Sequence, residues 1–134
     1  MIKGISHLGI AVKDMDKARD YYRTVFGLES REPIVGAGGT VKASLIELDN
    51  VVLELLSPIG TDVPVAKFIQ NRGEGIQHVC YEVDDIKREI ERFKAINIET
   101  IGNLMDGAEG LSIFLHPKGT MGILTELVEK RTQG

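Results

Sequence analysis

The chain has 134 residues, 43% hydrophobic and 27% charged, with a formal net charge of −4. That length suits one domain burying roughly two-thirds of its unfolded surface, and the sequence holds no basic stripe with interleaved aromatics for nucleic acid. The single cysteine, Cys80, leaves no internal disulfide and fits a reducing compartment. The opening "MIKGISHLGIAVKDMDKARD" has too short an apolar run for a leader or a membrane span, so a cytoplasmic protein without a membrane partner is expected.

In chain order, "HLGIAV" predicts a strand with Leu8, Ile10 and Val12 on one face and His7, Gly9 and Ala11 on the other. Asp14 is placed to cap a helix whose apolar stripe is Met15, Ala18, Tyr22, Val25 and Phe26, ending at Gly27. Strands are expected at 29–33, 40–48 and 51–57, with "ELDN" as the hairpin turn between the last two. "TDVPVAKFIQNRGEG" then reads as a linking helix near 62–73, with Pro64 close to its start and Gly73 after its end.

Near residue 75 the pattern begins again. "IQHVCYEVDDI" (76–86) superposes on "ISHLGIAVKDM" (5–15) at an offset of 71 residues, setting His78 on His7, Val83 on Val12 and Asp85 on Asp14. The second copy predicts a helix capped by Asp85, with Ile86, Ile90 and Phe93 as its stripe. Strands at 98–102, 111–116 and 121–128 follow it. Two modules of this size, about 1–58 and 75–130, are too small to stand comfortably alone. The expected organisation is a single α+β domain, 1–134, built from two tandem βαβββ modules.

The last strand of each module adds a glutamate amid apolar residues: Glu54 in "VVLELLSP", 47 residues after His7, and Glu126 in "GILTELVE", 48 residues after His78. By strand alternation Glu54 faces away from Leu53 and Leu55, and Glu126 away from Leu127. One such histidine is ordinarily structural, and one such glutamate an exposed residue on a half-solvated strand. Two of each in twofold register point to a metal, because a carboxylate turned into a concave sheet needs a cation or a partner. Two imidazoles and two carboxylates suit Zn²⁺, Co²⁺, Ni²⁺, Mn²⁺ or Fe²⁺. Four such ligands leave two positions of an octahedral ion open to a chelating substrate.

These features resemble the vicinal oxygen chelate superfamily, whose paired βαβββ modules curl a mixed sheet around a metal cleft. Within it, the chain is most similar to the methylmalonyl-CoA epimerase family. The matching stretches are "HLGIAVKDMDKARDYY", "LELLSPIGTDVPVAKFIQNRGEGIQHVCYEVDDI" and "FLHPKGTMGILTEL", the middle one being the most specific. The resemblance implies His7, Glu54, His78 and Glu126 as metal ligands and a divalent ion (Co²⁺, Zn²⁺, Mn²⁺ or Ni²⁺) as cofactor. It also implies an acyl-CoA substrate and a homodimer. The implied reaction interconverts (2R)- and (2S)-methylmalonyl-CoA by removing the C2 proton, through an enolate stabilised by the metal.

Inversion needs an acid/base group on each face of the enolate. Glu126 is one candidate. Lys42, in "TVKAS", matches a third-strand position where some family members carry glutamate, and is set against a solvated edge lysine. Glu47 has the opposite strand parity to Lys42 and is expected to face away. The stretch "NLMDGAEGLSIFLHPK" is expected to border the acyl-CoA, with Gly107 and Gly110 where relatives show a denser glycine run. His116 is read as a turn residue or a catalytic one, Lys118 as a phosphate contact or an exposed turn lysine, and Cys80 as a small buried residue. Within the superfamily, a glyoxalase I-type lactoylglutathione lyase and a metal-free small-molecule binding or resistance protein are the alternatives. "VAKFIQNRGEGI" favours the epimerase over the first, and the four ligating side chains favour it over the second.

Overall fold

The computed structural model describes residues 1–107 and 109–132. In chain order they form β1 (Ile2–Ala11), α1 (Met15–Phe26), β2 (Ile34–Gly36), β3 (Val41–Glu47), β4 (Val52–Pro58), α2 (Pro64–Arg72), β5 (Gly75–Val83), α3 (Ile86–Ala95), β6 (Thr100–Asp106), β7 (Gly110–Leu115) and β8 (Thr125–Lys130). This is an α+β chain in which a βαβββ sequence of elements occurs twice. It divides into two compact units, one of His7–Gln77 and the other of Met1–Ser6 with the residues from His78 onward.

In the unit of His7–Gln77 the strand order is β2-β3-β4-β1. β1 runs parallel to β4, and the other neighbours are antiparallel. The crossover between β1 and β4 carries α1. Asp14 starts this helix by accepting from the backbone N–H of Lys17 at 3.1 Å. Gly27 ends it at φ 69, donating its N–H to the carbonyls of Arg23 and Tyr22, a left-handed cap for which glycine carries no Cβ penalty. Met15, Ala18 and Tyr22 pack on Ile10, Ile46, Leu53 and Leu55. Fully buried Leu55 and Ile46 contribute roughly 2 kcal/mol each.

The expected stripe runs past the sheet. Val25 and Phe26 are 55% and 58% exposed, and the Phe26 ring meets Tyr21 edge-on at 5.8 Å instead of entering the core. On the sheet's other face Val65, Phe68 and Ile69 of α2 pack on Ala11, Val41, Ala43 and Leu56. Pro64 is the first residue of α2 and Gly73 its cap. The strand expected at 29–33 is displaced to 34–36. Pro33 has no N–H for a ladder, and Arg31 instead donates its N–H to the Leu45 carbonyl at 2.9 Å. The Arg31 carbonyl in turn accepts from Ser44 Oγ at 2.6 Å.

The other unit repeats the plan with order β5-β8-β7-β6, β5 parallel to β8 and the rest antiparallel. Asp85 caps α3 by accepting from the Arg88 N–H at 3.1 Å. Ile86, Ile90 and Phe93 form the predicted stripe against Val83, Ile113, Leu115 and Leu127. β6 and β8 both run further toward the C-terminus than expected; for β8, Pro117–Gly119 is a short 3-10 turn and regular pairing starts only at Thr125.

Met1–Ser6 completes this unit. Lys3 Nζ lies 3.5 Å from Glu82, and the Asp84 N–H donates to the Met1 carbonyl at 3.3 Å. The Met1 amino group pairs with Asp84 at 2.8 Å and also with Glu89. Glu89 is buried, and hydrogen bonds from that amino group and from Arg92 hold its carboxyl below the usual carboxylate range. Among the described residues no helix is long and apolar enough to cross a membrane.

Candidate functional site

Parallel pairing of a first strand with a last strand positions the candidate ligands in each unit. In β1 and β4 the register sets His7 opposite Val52 and Gly9 opposite Glu54. His7 Nε2 stands 3.6 Å from Glu54 Oε1, with side chains 6% and 15% exposed. Glu54 shares its face with Leu56, which packs under α2, and turns away from Leu53 and Leu55, which pack under α1.

β5 and β8 do the same in the other unit, where Cys80 lies opposite Glu126. His78 Nε2 is 3.2 Å from Glu126 Oε1, with side chains 3% and 13% exposed. Phe114 was not singled out in the sequence. It pairs with Glu126 across β7 and β8, and its ring meets the His78 imidazole edge-on at 5.3 Å. The signal available was its place in "SIFLHPK", on the strand beside the one bearing Glu126.

Each unit thus sets a carboxylate oxygen of a largely shielded glutamate within a few ångströms of a nitrogen of a buried imidazole. A carboxylate so enclosed is stabilised by a cation or by donors. Nitrogen and oxygen donors of these types are what a borderline divalent ion takes. The residues present therefore fit a metal.

Lys42 is not brought to Glu54. Register sets Leu45 opposite Glu54 and Lys42 opposite Ser57, so Lys42 shares the α1 face with Ser44 and Ile46. There it lines a cavity of about 350 Å³ with Lys13, Asp16, Ser57 and Pro58. Glu47 does have the opposite parity to Lys42, but that puts it on the Glu54 side, across from Val52. Its carboxylate is half exposed and pairs with Arg31 at 2.8 Å.

His116 serves its turn: Nδ1 accepts from the Lys118 N–H at 3.1 Å, and Lys118 itself is exposed. Cys80 is fully buried. In the loop between β6 and β7, Ala108 lies outside the described residues. Gly110 sits at φ 153, and a Cβ there would meet the Glu129 carbonyl oxygen at 2.1 Å, so only glycine fits. Glu109, also not singled out in the sequence, accepts from Ser6 Oγ at 2.8 Å.

Residues 6–114 match the family model described as the Glyoxalase/Bleomycin resistance protein/Dioxygenase superfamily. The chain is 38% identical over 126 residues to "Methylmalonyl-CoA epimerase, mitochondrial" of Bos taurus, a match covering 92% of this chain and 72% of that protein. It is also 38% identical over 131 residues to the "Ethylmalonyl-CoA/methylmalonyl-CoA epimerase" of Cereibacter sphaeroides, with 95% and 98% covered. Among solved structures, a variant of Streptomyces coelicolor methylmalonyl-CoA epimerase in complex with 2-nitronate-propionyl-CoA superposes with a TM-score of 0.92 at 27% identity. That match covers 98% of this chain and 97% of the other.

Proposed function

We infer that this chain, which belongs to the glyoxalase/bleomycin resistance protein/dioxygenase superfamily and within it to the methylmalonyl-CoA epimerase family, interconverts (2R)- and (2S)-methylmalonyl-CoA. The observation that carries the reading is a buried histidine set against a largely shielded glutamate at the same place in both repeats. Whole-chain likeness to proteins named for that reaction supports it.

His7, Glu54, His78 and Glu126 are proposed to hold one divalent ion together. Co²⁺, Zn²⁺, Mn²⁺ and Ni²⁺ all accept this donor set. When bound, such an ion supplies positive charge that favours the enolate form of a thioester. The chain's own residues do the rest. Phe114 fixes the His78 ring, and the apolar strands around each pair exclude water. Glu126 is a carboxylate able to hold the C2 proton. Because register turns Lys42 away from Glu54, a lysine acid at that place is not part of the reading. The proposal extends to a cytoplasmic setting, supported by the lone buried Cys80, and to a second copy of the chain as partner.

The test is methylmalonyl-CoA in D₂O, followed by NMR. The protein is expected to exchange the C2 hydrogen and invert the centre, and a chelator to remove both. Glu126→Gln should cut exchange at least about 100-fold, and Lys42→Ala should leave it within about threefold. Turnover of a hemithioacetal with no methylmalonyl-CoA exchange would replace the reading with the glyoxalase one. Tight binding of a small molecule without any turnover would make the chain a binding protein.

A further inference from the structure

We propose that Glu109 is an acid/base residue of the epimerisation, an assignment that rests on the epimerase reading above. Inversion at C2 needs a group that takes the proton from one side and another that returns it from the opposite side. Glu126 is the candidate for one of them. The other position is open, since Lys42 lies on the α1 face of its sheet.

Glu109 belongs to the same compact unit as the His78–Glu126 pair. Glu109 and its described neighbours are tied at several points. The Gly107 N–H donates to the Gly110 carbonyl at 2.8 Å, and the Arg131 N–H to the Glu109 carbonyl at 3.2 Å. Arg131 Nη2 reaches Asp106 Oδ1 at 2.6 Å and the Gly107 carbonyl at 2.7 Å. The carboxylate is then aimed by buried Ser6, whose Oγ donates to Glu109 Oε2 at 2.8 Å.

That aim is over the sheet face of the candidate ligands. A Glu109 carboxylate oxygen lies within 4.8 Å of Cys80 Sγ, and Cys80 is the direct neighbour of Glu126 in the β5–β8 register. Glu82, the next carboxylate along that face of β5, is engaged by Lys3 and Lys130, each at 3.5 Å. The Glu109 carboxylate, accepting from the Ser6 hydroxyl, lies beside the pair on that face.

In one direction the C2–H bond breaks and its proton passes to the Glu109 carboxylate. The electron pair forms the C1–C2 double bond and places charge on the thioester oxygen. A carboxylic acid on the opposite side, for which Glu126 is the candidate, returns a proton to C2 as the carbonyl re-forms. The reverse reaction uses the same two groups in exchanged roles.

The decisive variant is Glu109→Gln, assayed with each epimer separately in D₂O. Wild type should exchange and interconvert both. The variant should lose interconversion at least about 100-fold, yet still exchange the C2 hydrogen of one epimer with retention of configuration through the remaining base. Glu109→Asp, which keeps the charge, should interconvert faster than Glu109→Gln. Interconversion by Glu109→Gln within about threefold of wild type would overturn the assignment. So would a variant in which exchange of both epimers falls in step with interconversion, the mark of a structural role, and so would Glu109→Asp no faster than Glu109→Gln. A wild-type protein inert toward both epimers would instead sink the epimerase reading, and the assignment with it.

Discussion

His78 is held on three sides: by its place in a paired strand, by the edge-on Phe114 ring at 5.3 Å and by Glu126 at 3.2 Å. Replacing it with alanine removes one of four proposed donors without touching the others. Purified wild-type protein should carry one ion per chain by elemental analysis, and His78→Ala well under that, with affinity lowered at least about tenfold. Equal loading of the two would mean that His78 is not a ligand. Both histidine–glutamate pairs were legible beforehand because a repeat makes like residues recur at one offset, and strand alternation gives each glutamate its face. Lys42 and Glu47 were not, since the direction in which a β3 residue faces depends on which β4 residue it pairs with. That register is set by the hairpin closed at Leu48 and Val51. Glu109 lies in a loop, where no period marks a residue as inward.

Among the elements, the helices were the easiest to foresee and the short strands the hardest. Asp14, Asp85, Gly27 and Pro64 all act at helix ends by local chemistry, which sequence displays directly. β2 escaped because Pro33 and the Ser44–Arg31 hydrogen bond displace pairing to a three-residue segment, and side-chain capture of a backbone carbonyl leaves no pattern. The β7–β8 hairpin turns on a close approach of the same hidden kind. Gly110→Ala must either move the Glu129 carbonyl or abandon φ 153, at a cost of about 3 kcal/mol. Gly107→Ala, whose Cβ would meet nothing nearer than Ser112 Oγ at 3.4 Å, should stay within about 1 kcal/mol of the parent. Urea unfolding of the two variants checks this, and equal midpoints would show that the approach at Gly110 is not strict.

For the whole molecule, the expectation concerns a second copy. Ile34 and Val35 on β2 are 53% and 64% exposed, and Ile101 and Met105 on β6 are 42% and 46% exposed. Both strands end their rows in the strand order, and bare apolar edges invite pairing. Light scattering at micromolar concentration should give the mass of a dimer, and a monomer there would remove the claim. The make-up of the two compact units has a consequence of another sort. Their boundaries fall at His7 and His78, the same point of each repeat. The six residues leading into the first histidine therefore belong with the second repeat, and those leading into the second belong with the first. Gene halves cut at the repeat boundary would each lack a piece that the other encodes.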